Sequence, residues 1–151
     1  MRFSLLVLFL IALAAPDARA QRGNFGIGGQ VGEPTGVSLR LGAGPGALDF
    51  QAGWNLSDNF LFAQGHYLFA NNPLPTSGAD VRAFYGPGVF VATHGDDGPG
   101  DDETAFGLSL NAGVSAFFNS LEIYGQITPR LQLVDETGFD LGGGLGARIY
   151  F

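Results

Sequence analysis

At 151 residues, with 14 acidic and 7 basic residues and no cysteine, the chain has room for one domain and excludes a disulfide-stapled module or a lipoprotein tethered through an N-terminal Cys. An acidic balance, carried against Arg alone with no Lys, also makes nucleic acid an improbable partner, because a phosphate backbone demands a basic face.

Residues 1–20 read as a secretory leader. Arg2 supplies the positive n-region, SLLVLFLIALAA at 4–15 the apolar stretch, and Ala18-Arg19-Ala20 a small-x-small cleavage site. The apolar run is too short for a spanning helix. Cleavage would leave Gln21 first and a mature domain of 21–151. Losing Arg2, Arg19 and Asp17 takes the 7 basic and 14 acidic residues to 5 and 13, a net charge of −8.

Beyond residue 20 no apolar run could cross a bilayer as a helix, so any membrane span must be made of strands. Strict alternation of apolar and polar residues dominates, and it predicts strands at 24–31, 37–42, 47–56, 60–70, 81–92, 104–118, 121–134 and 139–151. The connections GEPTG, AGPG, SDN, NNPLPTSGAD, THGDDGPGDDE, NS and DETG are rich in turn-forming residues, and none is a long helical crossover. Within 84–92 the alternation is less clean. Pro87 and Pro129 each remove a ladder donor, so bulges or breaks are expected there, with a lateral lipid entry as the functional alternative.

The faces separate clearly in the last three runs. Phe106, Leu108, Leu110 and Val114 oppose Gly107, Ser109, Asn111 and Ser115; Ile123, Ile127 and Leu131 oppose Glu122, Gln126 and Arg130; Leu141, Leu145 and Ile149 oppose Asp140 and Arg148. A soluble sandwich or lipocalin-like barrel alternates too. Two features favour a membrane barrel: a small, amide-rich polar face, and aromatics gathered into two girdles. Phe25, Phe50, Phe69, Phe118 and Phe151 are expected at one rim and Trp54, Phe106 and Phe139 at the other. The fold predicted is all-β, an eight-stranded antiparallel up-and-down transmembrane barrel. An even strand count would leave both termini in the periplasm.

That assignment sends Gln30, Arg40, Asp49, Gln51, Gln64, His66, Arg82, Glu122, Gln126, Arg130, Asp140 and Arg148 inward. Side chains just fill an eight-stranded barrel, and charges inside one must pair. Arg40, Asp49, Gln51, Arg82, Glu122, Arg130, Asp140 and Arg148 are therefore expected to form a polar network. It is read as a stabilising plug without steady conductance, the alternative being a gated conduit. Asp96, Asp97, Asp101, Asp102 and Glu103 crowd one loop, a candidate weak cation site or simply a solvated acidic loop; no resident metal or cofactor is predicted. Catalysis finds no motif, since neither His66 nor His94 has a local nucleophile partner.

The closing residues GLGARIYF resemble the carboxy-terminal signal by which outer-membrane proteins are recognised for insertion, carried by Gly146, Ile149 and the aromatic Phe151. Its first, usually polar, position is Gly144 here. GEPTGVS at 32–38, LEIYGQITPRLQL at 121–133 and ETGFDLGGGLGARIYF at 136–151 resemble a family of small outer-membrane proteins related in fold to the OmpA transmembrane barrel. The resemblance implies an eight-stranded, porin-like barrel in the outer membrane of a Gram-negative-type bacterium and supplies no catalytic residues. Outer-membrane lipids, lipopolysaccharide and, during insertion, the barrel assembly machinery are the expected partners of a monomer. A structural or membrane-integrity role leads, ahead of a surface binding module or a narrow channel for small hydrophobic solutes.

Overall fold

The computed structural model describes residues 23–55, 60–95, 103–134 and 136–151. The leader and Asp96, Asp97, Asp101 and Asp102 lie outside that set; Glu103 lies inside it and opens the sixth strand. No helix among the described residues is long and apolar enough to cross a membrane.

Eight strands form: β1 (Phe25–Glu33), β2 (Gly36–Ala43), β3 (Gly46–Asn55), β4 (Phe60–Pro73), β5 (Asp80–His94), β6 (Glu103–Phe118), β7 (Leu121–Gln132) and β8 (Gly138–Tyr150). Each pairs antiparallel with its chain neighbours, and β8 returns to β1, so the sheet closes. The turns match the backbone they need. Gly44 in the β2–β3 turn and Asn119 in the β6–β7 turn have φ of 56° and 55°, a left-handed conformation that Gly and Asn adopt at low cost.

Closure settles both faces. The outward positions carry Leu110, Ile127, Leu145 and Phe139 at 57, 59, 67 and 74 % exposure. Inward lie Gln30, Ser38, Asp49, Gln51, Gln64, Asn111, Ser115, Glu122, Gln126, Thr128 and Arg148, all buried. The described residues thus bury more polar than apolar side chains, the inverse of a water-soluble core. Phe25, Phe69, Phe118 and Phe151 stand toward the end bearing the described termini, and Trp54, Phe106 and Phe139 toward the other. Phe50 departs from this pattern. It lies midway along β3, where its ring covers Gly65 of β4.

The proline expectation is met in part. The β4–β5 ladder skips the Tyr67–Pro87 and Leu68–Gly86 pairs and the β6–β7 ladder the Leu110–Pro129 and Asn111–Thr128 pairs, so a local break falls at each proline. No bulge does, since register resumes unchanged and the β5–β6 and β7–β8 ladders run straight through. The one shift in the β4–β5 ladder falls between Phe69 and Asn72, where Asn72 Nδ2 donates to the Phe69 carbonyl at 2.8 Å. A proline whose missing N–H leaves two adjacent pairs unmade does not displace the strands around them.

Inside so narrow a barrel a large side chain needs a glycine opposite. A Cβ on Gly113 would come within 2.4 Å of the Phe84 ring, and one on Gly146 within 2.4 Å of Tyr124. Gly113→Ala is therefore expected to cost about 1–3 kcal/mol through overpacking, read as a lowered urea midpoint in lipid or detergent.

Candidate functional site

Four charged side chains from β2, β3, β7 and β8 meet inside the barrel. The β2–β3 register sets Arg40 beside Asp49, and the β7–β8 register sets Glu122 beside Arg148. Arg40 Nε donates to Asp49 Oδ1 at 2.8 Å and Arg40 Nη1 to Glu122 Oε1 at 2.7 Å. Arg148 Nη2 donates to Asp49 Oδ1 at 2.8 Å and its Nη1 to Glu122 Oε2 at 3.1 Å. Each cation touches both anions, so the quartet is a neutral, alternating ring. Its side chains are at most 5 % exposed. Such a group is tolerable only when the remaining lone pairs are also met. Glu122 accepts further from Ser115 and from Tyr150 Oη at 2.8 Å, Asp49 from Gln51 Nε2 at 2.8 Å, and Ser38 Oγ from Arg148 Nε at 2.8 Å.

An amide layer adjoins the quartet through Gln51. Gln51 Nε2 donates to Gln126 Oε1 at 3.0 Å, Gln126 Nε2 returns to Gln51 Oε1 at 2.8 Å, and Gln64 donates to the same Oε1. Asn111 Nδ2 donates to Gln126 Oε1 at 3.2 Å. His66 Nε2 sits 2.8 Å from Ser109 Oγ, but both side chains are buried, so this contact offers no substrate a way in. The plug divides the lumen into two mouths. A cavity of about 330 Å³ at the terminus end reaches Arg40, Ser115 and Tyr150, and one of about 620 Å³ at the opposite end reaches Phe62 and Arg130.

Of the expected network, Arg40, Asp49, Gln51, Glu122 and Arg148 come together; three others stand apart. Arg82 is paired with Asp80 at 2.8 Å at the terminus-end mouth, its side chain 32 % exposed. Arg130 pairs with Asp140 at 2.7 Å at the far mouth, and the Asp140 carboxylate is 65 % exposed, not interior. Near the end of β8, Gly146 faces the lumen under Tyr124, and Ile149 pairs with Ile27 and Leu121. The Phe151 N–H donates to the Phe25 carbonyl at 2.9 Å. Among the described residues no group of His, Cys, Asp and Glu could hold a metal ion.

That Phe62 and Phe84 turn inside was not foreseen. Arg148 lies over Tyr124 at 3.8 Å, Arg40 over Phe84 at 4.6 Å, Arg130 over Phe62 at 4.8 Å and Arg82 over Phe117 at 5.7 Å. A guanidinium over a ring face gains electrostatic attraction where water is excluded. The available signal was parity: Phe62 shares its face with Gln64 and His66, and Phe84 with Arg82.

The same closed barrel has a solved counterpart. The chain is similar to the N-terminal β-barrel domain of OprF from Pseudomonas aeruginosa. The superposition covers 87 % of this chain and 100 % of that one, with a TM-score of 0.62 and 13 % identity. At that identity the likeness is one of fold. No protein-family model matches the sequence, and no curated protein does.

Proposed function

We propose that the chain is an integral outer-membrane β-barrel, exported behind a cleaved leader at 1–20, whose side-chain-filled lumen serves membrane integrity and not steady conduction. The reading is carried by the apolar shell: Leu108, Leu110, Val114, Ile123, Ile127, Leu141 and Leu145 are all exposed around a polar, ion-paired interior. In water such a shell would be an aggregation surface; in lipid it is the favourable solvent contact. The likeness in fold to the OprF barrel domain supports the same reading. The paired termini would face the periplasm and the β1–β2, β3–β4, β5–β6 and β7–β8 loops the outside, with lipids and lipopolysaccharide around the wall.

Fractionation tests this first. The protein should remain in urea-washed outer membranes and migrate faster on gels unheated than boiled, as a closed barrel does. Recovery as a soluble periplasmic protein would overturn the proposal. With the quartet spanning the lumen, planar-bilayer recording should show no steady conductance.

A further inference from the structure

The mouth away from the termini holds a constellation that the plug does not use. On the inner face of β4 and β5, Phe60, Phe62 and Phe90 form a stepped stack, with ring centroids 6.4 Å and 5.9 Å apart. They line the cavity of about 620 Å³, a size that accommodates a small organic ligand, with the buried Phe62 and Phe90 as its base and the half-buried Phe60 as the ring open to it. Inward-facing rings are unexpected where neighbouring strands present amides, and here they furnish an aromatic wall.

The charges on that wall are unequal. Among the described residues lining the cavity, the charged ones are Arg130, Glu33 and Asp140. Arg130 Nη2 lies 2.7 Å from Asp140 Oδ2 but 3.7 Å from Glu33 Oε2. One guanidinium thus faces two carboxylates, with the Glu33 and Asp140 side chains 72 % and 65 % exposed, and the set carries a net charge of −1. The wall also shows its own preference. The face of Phe62 already receives the Arg130 guanidinium at 4.8 Å, and a ring face attracts positive charge and disfavours negative.

We propose that this mouth binds a small aromatic ammonium compound, its ring along the half-buried Phe60 and its charged nitrogen toward Glu33. Aromatic surface supplies the affinity, and the excess of two carboxylates over one guanidinium supplies the selection for a cation. The inference does not depend on the membrane reading, because the cavity belongs to the closed barrel in any solvent.

The test uses the full mature chain in lipid nanodiscs and three matched probes: phenethylammonium, neutral 2-phenylethanol and anionic 3-phenylpropionate. Trp54, the one tryptophan in the chain, stands at the cavity's edge and reports occupancy by fluorescence; ligand-observed NMR gives an independent reading. The cation should bind at least tenfold more tightly than the neutral probe, and the anion most weakly. In the Glu33→Gln/Asp140→Asn variant, whose altered side chains are mostly exposed, Arg130 is left as the charged group among these three. The order should then reverse in favour of the anion. Three results would each overturn the proposal: no saturable binding of the cation at millimolar concentration, equal affinity for all three probes, or an order that the double variant leaves unchanged.

Discussion

Replacing Arg148 by Met is expected to destabilise the barrel by about 3–5 kcal/mol, the cost of breaking a buried ion pair from one side. Asp49 and Glu122, both sealed from solvent, would lose contacts of 2.8 and 3.1 Å and share Arg40 alone. Ser38 Oγ and the Tyr124 ring would lose their cation as well. Methionine roughly conserves the volume, so the penalty reports charge more than cavity. Adding Glu122→Gln removes one anion and leaves Arg40 with Asp49, a balanced pair. The double variant should therefore cost less than the two single losses added together, by about 0.5–3 kcal/mol. Urea unfolding in vesicles, followed by the heat-sensitive gel shift, measures all of these. An Arg148→Met protein as stable as the native one would show that the ring contributes nothing to cohesion.

Leu110→Arg carries the second large effect and addresses the outside. Leu110 is 57 % exposed near the middle of β6. On a water-facing surface such a change is usually within about 0.5 kcal/mol of neutral. Facing lipid at the bilayer midplane it should cost about 2–4 kcal/mol, whereas Leu133→Arg, just past the end of β7, should cost about 0–1 kcal/mol. The depth dependence is the informative quantity. Equal, small effects at both positions would argue for a barrel that lives in water.

The architecture was readable because alternation was strong and turns were marked. Each of the eight strands lies within three residues of its expected bounds, and the inner and outer rows of β6, β7 and β8 fall where parity put them. Cross-strand chemistry was only half readable. Arg40 with Asp49 and Glu122 with Arg148 are register neighbours, but their joining into one ring depends on barrel closure, which no local pattern encodes. The irregular stretch at 84–92 had a second cause besides its proline. Phe84 and Phe90 turn inward, one beneath Arg40 and one against Phe62, so an apolar residue sits where alternation demands a polar one. The GEPTG segment is a similar case. Read as a connection between strands, it carries a buried Pro34 that lines the mouth away from the termini and whose carbonyl accepts from Gln30 Nε2 at 2.9 Å. Asp140 lay on the expected face but too near the strand end to be enclosed.

The ring of alternating charges draws its members from opposite ends of the chain, Arg40 and Asp49 from the second and third strands, Glu122 and Arg148 from the last two. During synthesis the early hairpin can match one guanidinium to one carboxylate, yet the second pair arrives some 70 residues later. A half-built cylinder would offer unmatched ions and open sheet edges to the lipid, both strongly disfavoured there. Assembly should consequently be cooperative and late, with the final strand fastening the first and partial forms too costly to accumulate.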